Sequence, residues 1–462
     1  MKNSLRSLII PLGAVAILIV LSACPWERWS GGRLKDFHLF ADLMPQKMNA
    51  DAERSNAADN VDPELLKFVE QGDSAKTVDT VIEAEAAPAP VIIVPDVAPR
   101  DGNVVLIEDY SADGSALHKL KNTLAQAIIR PVRIAMVGDS YIEGDILAQD
   151  IRAGLQSQYG GRGVAYVAAF SNFPGFRGSV NQSAKGWKET EIRKMNNDPL
   201  RTILGLYHTA DVGAVSSFKG SKRPDHLDSW NSSTMIYQAS NPGSVTITVA
   251  DSAMTFPIAA STRLQAIAVP GATSEFKVEI NSPGLDVLGI WLENSTGIVL
   301  DDISLRGNSG ISHRQLDAST TREMRNWIDY DLIILEFGMN ALSAAQKDYT
   351  PYARGMEEVI ANLRSLYPNA QILVMGVADR GAKHGTSLGS MPTVAALVKA
   401  QRAMAARSGV LFYDTRAAMG GEGAAVDWHN RSLVNSDYVH LNHKGGKALA
   451  DIFLESLNHS IK

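Results

Sequence analysis

Residues 132–152, which read VRIAMVGDSYIEGDILAQDIR, constrain the fold more than any other part of the chain. The first part of this stretch is short and apolar, as a buried β-strand is. Gly138 and Asp139 interrupt it before Ser140, and from Asp145 onward leucine and isoleucine recur every four residues, as on one face of a helix. A strand that leads through a short turn into a helix is a unit of an α/β protein.

Ser140 is placed where the strand ends and the helix is about to begin. Backbone N–H groups are unpaired at such a place, and the helix dipole favours negative charge there. A hydroxyl held in this position can attack a carbonyl carbon while nearby N–H groups receive the oxyanion. The simpler interpretation is a Gly-Asp turn followed by a serine that caps the helix, and this stretch alone does not separate the two.

Two further stretches supply the groups that a nucleophilic serine needs. Residues 436–446, SDYVHLNHKGG, put Asp437 three residues before His440 and just ahead of the expected last helix. A local turn lets this carboxylate reach the imidazole, fix its tautomer and stabilise its charged form. Residues 335–342, LEFGMNAL, lead an apolar strand into Asn340, whose side-chain amide can donate to a developing oxyanion. Together these two stretches favour the interpretation of Ser140 as a nucleophile over its interpretation as a helix cap.

These blocks resemble those of the SGNH hydrolases, also called GDSL esterases. That family has a GDS block, a Gly block, a GxN block and a DxxH block in this order. The corresponding residues here are Gly138-Asp139-Ser140, Arg306-Gly307-Asn308-Ser309-Gly310, Gly338-Met339-Asn340 and Asp437-Tyr438-Val439-His440, with Gly445 five residues further on.

The resemblance implies a three-layer α/β/α fold with a parallel sheet. It also implies a catalytic triad of Ser140, His440 and Asp437. The oxyanion hole would then consist of the Ser140 and Gly310 N–H groups and the Asn340 side chain. Gly307 is also a candidate in the Gly block, and the later glycine is favoured.

The pattern of apolar, polar and turn-forming residues divides the chain into segments. Residues 101–181 and 301–462 alternate apolar strands with amphipathic helices, which predicts a parallel sheet with helices on both faces. Between them, residues 182–300 contain strand-like runs separated by turn residues at about ten-residue spacing, which favours an inserted β-sandwich. The hydrolase domain is thus predicted to be split in two by the insertion.

The insertion has two interpretations, a purely structural β-domain or a carbohydrate-binding module. Aromatic side chains can stack on sugar rings, although aromatic residues of a sandwich usually pack in its core. The candidates are Trp187, Tyr207, Trp230, Tyr237 and Trp291.

The chain begins with a targeting segment, residues 1–24. Lys2 and Arg6 precede an almost wholly apolar run that ends in Leu-Ser-Ala-Cys24, which resembles a bacterial lipobox with Cys24 as the lipidated residue. The alternative is an uncleaved signal anchor, for which the apolar run is at the short limit. Under both interpretations, the remaining chain is exported to the cell envelope and tethered to a membrane. Cys24 is the only cysteine, so the chain forms no internal disulfide.

Residues 25–100 carry Ala/Glu-rich and Pro-rich runs without a sustained apolar period. This composition predicts a linker that is largely extended or disordered. Short helices near residues 34–44 and 63–70, and a docked segment, are alternatives that the sequence leaves open.

Composition narrows the set of partners. The 462 residues are 45% hydrophobic and 20% charged, and the net charge of −6 gives no reason to expect nucleic acid. No cysteine or histidine cluster has metal-ligand spacing, so we expect neither a metal nor another cofactor.

The split domain, the export signal and residues 417–442 resemble bacterial peptidoglycan O-acetylesterases and related envelope polysaccharide esterases. The resemblance implies a serine esterase that removes O-acetyl groups from an envelope polysaccharide, most directly peptidoglycan. The reaction would pass through an acyl-enzyme that water resolves. An O-acetyltransferase with the same triad and a non-catalytic polysaccharide-binding protein are the alternatives.

Overall fold

The structure, a computed structural model, describes residues 61–74, 94–385 and 387–462. The targeting segment with Cys24 and most of the 25–100 segment lie outside these residues. Within the described ranges, every helix is too short or too polar to cross a bilayer.

The strands and helices alternate in the first and last parts of the described chain, and strands dominate between them. The strands are β1 (Arg100–Asp101), β2 (Val104–Val105), β3 (Glu108–Asp109), β4 (Pro131–Gly138), β5 (Ala165–Val167), β6 (Val180–Glu191), β7 (Leu206–Gly220), β8 (Trp230–Ala239), β9 (Gly243–Val249), β10 (Ser252–Ile258), β11 (Ser261–Thr273), β12 (Glu275–Ile280), β13 (Leu285–Glu293), β14 (Gly297–Ser304), β15 (Leu332–Glu336), β16 (Gln371–Met375), β17 (Gly381–His384), β18 (Ser387–Ser390) and β19 (Leu411–Tyr413). The helices are α1 (Pro63–Ser74), α2 (Ala116–Ala125), α3 (Ala148–Tyr159), α4 (Ala318–Met324), α5 (Thr350–Leu366), α6 (Val394–Ser408), α7 (Thr415–Met419), α8 (Ala424–Asn430) and α9 (His443–Ser460).

A six-stranded sheet in the order β14–β4–β15–β16–β19–β3 forms the centre of the α/β domain. It is parallel except at the β3 edge. Its strands are nearly continuous apolar runs because helices cover both faces. Ser304, Gly138 and Glu336 lie side by side where β14, β4 and β15 end.

The order of the strands explains why the site lies beyond β4. From β4 the chain crosses to β14 on one side, and from β14 it crosses back past β4 to β15 and on to β16 and β19. Right-handed crossovers in opposite directions put α3 on one face and α4, α5 and α6 on the other. Helix α3 packs against α9, and α5 packs against α6. Ligands of open α/β sheets bind at such a reversal, so the three-layer fold is confirmed and Ser140 follows its central strand.

A buried ion pair fixes the segment between Ser140 and α3. The Arg152 guanidinium contacts Asp145 through two bonds of 2.7 and 2.9 Å and the Leu300 carbonyl at 2.6 Å. Both side chains are fully buried. Breaking such a pair by removing one partner typically costs about 3–5 kcal/mol, so this contact holds α3 in place behind the Ser140 turn.

The insertion is built from β-strands, as the sequence predicted. It is an antiparallel sheet of nine strands. Its main order is β10–β9–β12–β7–β13–β8–β11, with β6 paired to β7 and β5 paired to β13. The strands form one continuous, nearly barrel-like sheet. Strand β14 belongs to the central sheet because it pairs in parallel with β4. The insertion therefore ends at Glu293, earlier than the predicted boundary at residue 300.

The aromatic candidates of the insertion mostly build its core. Trp230, Tyr237 and Trp291 are at most 3% exposed. Trp187 and Tyr207 are partly buried, and each donates to a protein oxygen. The carbohydrate-stacking role considered for these five rings is therefore not supported by their positions.

Helix α1 lies within the segment expected to be largely extended. Asp62 caps its first turn by accepting from the Glu64 N–H at 2.9 Å, and Pro63 takes the first helical position. The helix packs against α5, and the Arg314 guanidinium lies 4.5 Å from the centre of the Phe68 ring. Residues 61–74 are thus a docked helix, which the sequence left open as a possibility.

Candidate active site

Three side chains that are far apart in sequence form a continuous hydrogen-bonded row. Ser140 Oγ lies 2.9 Å from His440 Nε2, and His440 Nδ1 lies 2.7 Å from Asp437 Oδ2. Ser140 follows β4, and the other two precede α9. All three are half-buried. A nucleophile within reach of a base that a carboxylate orients is the arrangement used in nucleophilic catalysis.

The sequence around Asp437 explains how the carboxylate reaches the imidazole. Asp437 Oδ1 accepts from the backbone N–H groups of Val439 at 2.9 Å and His440 at 3.0 Å, which closes a tight turn. The second oxygen is thereby aimed at the ring. Burial opposes ionisation of Asp437, but its hydrogen bond to His440, the charge of His440 and these two N–H groups together lower its pKa.

The environment of His440 favours the imidazolium. Burial lowers its pKa, but the hydrogen bond that Nδ1–H donates to Asp437 and the charges of Asp437 and Asp139 outweigh burial and raise the pKa above its ordinary value. The Arg306 guanidinium acts in the opposite direction. A base whose charged form is stabilised in this way can accept a proton from Ser140 more easily.

Asp139 stabilises its own turn and also contacts a second loop of the site. Its side chain is fully buried. Oδ1 accepts from the Tyr141 N–H at 2.8 Å, and Oδ2 accepts from the Asn340 side-chain amide at 2.8 Å. Asp139 therefore ties the Ser140 turn to the loop after β15. The sequence carries no signal for this contact.

Glu336 is a second buried carboxyl group beside this contact. Burial, and then the charge of Asp139, raise the pKa of Glu336 well above its ordinary value. Burial also raises the pKa of Asp139, to about 6, although its hydrogen bonds and the charge of His440 act in the opposite direction. In the sequence Glu336 only appears as the end of an apolar strand.

The structure places Asn340 next to the Ser140 turn, and its side-chain amide already donates two hydrogen bonds. Nδ2 donates to Asp139 Oδ2 at 2.8 Å and to the Asn308 carbonyl at 3.2 Å. An oxyanion can receive an N–H from Asn340 in place of the longer bond. Asn340 is thus held in position by one contact and can exchange the other.

The geometry of the Gly block argues against the glycine that the sequence analysis favoured. Gly310 is buried, and its N–H donates to Asn308 Oδ1 at 2.8 Å. A Cβ at Gly310 would lie 2.9 Å from Met356 and Phe337, so this glycine is needed for core packing. Among the described residues, the Gly307 N–H has no hydrogen-bond partner, which makes Gly307 the better candidate donor.

Asp62, the residue just before helix α1, supports two loops of the site. Asp62 is 1% exposed. Its Oδ2 accepts from the Ser309 N–H at 2.8 Å, and its own N–H donates to the Asn340 carbonyl at 2.9 Å. Asp62 therefore fixes both the Gly block and the loop that carries Asn340. An Asp-Pro pair ahead of a helical run predicts the helix start but not this contact.

The neighbouring His443 does not belong to the row formed by Ser140, His440 and Asp437. Its Nδ1 lies 3.4 Å from Gln149 Nε2, on the first turn of α9. In the part of the chain that the structure describes, no three His, Cys, Asp or Glu side chains are grouped so that they could hold a metal ion.

Comparison with known proteins agrees with this architecture. Residues 279–448 match the model of the GDSL-like lipase/acylhydrolase family. The match contains the Gly, GxN and DxxH blocks, while Ser140 lies before it because the insertion separates the two parts of the domain. No curated protein matches the chain by sequence.

Among solved structures, the chain is similar to a peptidoglycan O-acetylesterase with 22% identity and a TM-score of 0.63, over 77% of this chain and 99% of that chain. A family two carbohydrate esterase from Cellvibrio japonicus is similar at 13% identity with a TM-score of 0.27, over 61% of this chain and 98% of that one. The family match over residues 279–448 and the shared fold both support a GDSL-like, or SGNH, acylhydrolase domain in this chain.

Proposed function

We propose that the chain is a serine esterase that removes O-acetyl groups from a cell-envelope polysaccharide, with peptidoglycan as the first candidate. The row from Ser140 Oγ through the His440 ring to Asp437 carries the catalytic part of this proposal. The similarity to a peptidoglycan O-acetylesterase supports the glycan part. The triad and oxyanion roles below belong to the same proposal.

In the first half of the reaction, Ser140 Oγ attacks the acetyl carbonyl carbon and His440 Nε2 takes its proton. Asp437 stabilises the imidazolium. The oxyanion accepts from the Ser140 N–H, which has no partner among the described residues, and from the Asn340 amide. One such donor is typically worth about 3 kcal/mol in the transition state. His440 then protonates the departing sugar oxygen, which leaves an acetyl group on Ser140.

In the second half, an acceptor hydroxyl attacks the acetyl-serine while His440 takes its proton. Ser140 then regains that proton as it leaves. With water as the acceptor, acetate is released. With a sugar hydroxyl as the acceptor, the same residues act as an O-acetyltransferase, so the two activities differ only in which molecule reaches the acyl-enzyme.

Acetate release from defined substrates tests this proposal. The substrates are O-acetylated peptidoglycan, an O-acetylated neutral glycan and a small aryl acetate, each with the wild type and with Ser140→Ala as the inactive control. We expect the wild type to release acetate from O-acetylated peptidoglycan and Ser140→Ala to release none. Activity on the aryl acetate without release from either glycan would overturn the carbohydrate part, and acetyl transfer to an added glycan in preference to water would identify a transferase.

The pKa of His440 predicts the pH dependence of the reaction. The base must be neutral to accept a proton, and its pKa is raised, so kcat/KM on a small ester should rise with pH through a midpoint above the ordinary histidine pKa. Asp437→Asn removes the charge that raises this pKa and should shift the midpoint to lower pH, with a lower plateau. A pH–rate profile for both proteins measures this, and an unchanged midpoint in Asp437→Asn would show that Asp437 does not act on the base.

We further propose that Cys24 carries a lipid that anchors the exported enzyme to a bacterial membrane. Metabolic labelling with a fatty-acid probe should mark the wild type and leave Cys24→Ala unlabelled. An unlabelled wild type that still fractionates with membranes would instead favour the signal anchor.

A further inference from the structure

Helix α1 precedes all four sequence blocks that identified the site, yet the residue that caps it contacts two of them. Asp62 is buried, and both of its carboxylate oxygens accept hydrogen bonds. Oδ1 accepts from the Glu64 N–H at 2.9 Å, and Oδ2 accepts from the Ser309 N–H at 2.8 Å. One oxygen is enough to cap a helix, so the bond to Ser309 in the Gly block is additional to capping.

The backbone of Asp62 contacts the GxN block. Its N–H donates to the Asn340 carbonyl at 2.9 Å, while the Asn340 side chain donates to the Asn308 carbonyl at 3.2 Å. These contacts close a ring that runs from Asp62 through the Gly block to Asn340 and back. Because the ring includes the amide that is proposed to bind the oxyanion, a shift of Asp62 displaces that amide.

Further contacts of helix α1 keep Asp62 against the Gly block. Glu64 Oε2 accepts from the Ser312 hydroxyl at 2.5 Å, two residues after that block. The ring of Phe68 lies so close to α5 that a Cβ at Gly355 would come within 2.9 Å of it. The glycine at position 355 therefore allows α1 to approach α5, and this packing fixes the start of α1.

We propose that Asp62 is a positioning residue of the esterase, which acts through the Gly block and Asn340 to hold the oxyanion donors in place. This inference rests on the proposed function and adds helix α1 to the parts of the chain that the chemical step requires. The side chain of Asp62 is hydrogen-bonded to Glu64 and Ser309, so it acts on the donors and not on the reacting atoms. Donors must be aimed at the position of the oxyanion, and a misplacement of about 1 Å can cost about 10²-fold in rate.

Asp62→Ala removes the carboxylate, and steady-state kinetics on a small aryl acetate measure the effect. We expect kcat to fall roughly 10- to 100-fold with little change in KM, because the donors stabilise the transition state and not the bound ester. Asp62→Ser separates the two contacts of the side chain, since its single oxygen can still cap the helix but cannot accept from both N–H groups. It should recover part of the lost unfolding temperature and little of the lost kcat.

Asp317→Ala is the matched control for the loss of a helix cap. Asp317 caps α4 by accepting from the Thr320 N–H at 2.7 Å, and among the described residues it is hydrogen-bonded to neither block. Its replacement should lower the unfolding temperature and leave kcat close to the wild-type value. Hydrogen–deuterium exchange of the backbone adds a measurement that needs no substrate. Exchange in residues 306–310 and 338–342 should be faster in Asp62→Ala and unchanged in Asp317→Ala.

A folded Asp62→Ala protein with wild-type kcat would overturn the inference, whatever its exchange rates. A rise in KM at unchanged kcat, or an equal fall in kcat in Asp317→Ala, would overturn it as well. If Asp62→Ala does not fold, the same criteria apply to Asp62→Ser. If the wild type hydrolyses no acetate ester while exchange in both blocks is still faster in Asp62→Ala, the proposed esterase function fails and the positioning of the two blocks by Asp62 stands.

Discussion

Replacing either Ser140 or His440 with alanine is expected to abolish nearly all hydrolysis of a small aryl acetate. The hydroxyl cannot lose its proton without the base 2.9 Å away, and the base has nothing to activate without the hydroxyl. Each single variant should lower kcat by at least about 10⁴, and the double variant should lower it little further, because residues that act as a unit are not additive. Steady-state kinetics of the three variants measure this.

His443→Ala is the matched control for these variants. It removes an imidazole three residues further on, whose ring contacts Gln149. Its kcat should stay close to that of the wild type. Thermal unfolding of all four proteins separates chemistry from folding, since Ser140 and His440 are only half-buried. A Ser140→Ala protein that is folded and keeps most of its activity would remove the basis of the whole mechanism.

The sequence could predict the turns that carry Ser140, Asp437 and His440 because each turn is encoded locally. The strand that ends at Gly138 is a buried apolar run, and the turn that joins Asp437 to His440 closes over three residues. Periodicity likewise identified the strands on both sides of the insertion. Local signals of this kind are strong wherever a residue is positioned by its immediate neighbours in sequence.

Contacts that cross long sequence distances could not be predicted from the same signals. The bond between Asp139 and Asn340 joins residues 201 positions apart, and that between Asp62 and Ser309 spans 247 positions. Nothing in the local sequence of Asp62 distinguishes a helix cap from a support for the site. The choice between Gly310 and Gly307 likewise depends on a contact that the sequence does not reveal, namely which N–H donates to the Asn308 side chain.

The aromatic residues of the insertion show a second limit of prediction from sequence, which concerns burial. Strand alternation predicts that alternate residues share one face, but not which face is covered. Trp291 lies in β13, and its Nε1 donates to Asp301 Oδ2 at 2.9 Å, which also accepts from the Tyr330 hydroxyl at 2.8 Å. An aromatic side chain whose polar end is satisfied inside the protein is a core residue. Phe173, outside the predicted insertion, is the exposed ring.

Replacing Asn340 with alanine is expected to lower kcat by about 10²–10³ with little change in KM. In the proposed mechanism the amide donates to the oxyanion, which is absent from the bound substrate, so its loss should affect the chemical step and not substrate binding. Its ground-state bond to the Asn308 carbonyl is the longer of its two and is the one exchanged on reaction. Steady-state kinetics with an aryl acetate measure the split between kcat and KM.

Asp139→Asn, combined with Asn340→Ala in a double-mutant cycle, determines whether Asp139 acts by positioning this amide. If it does, the double variant should be little slower than Asn340→Ala alone, because the partner of Asp139 is already absent. The pH profile separates a second effect, since the Asp139 charge raises the pKa of His440 and its removal should shift the midpoint to lower pH. Asn340→Ala should leave that midpoint in place. A rise in KM without a fall in kcat would instead assign Asn340 to ground-state binding of the ester, and the oxyanion would then depend on backbone N–H groups alone.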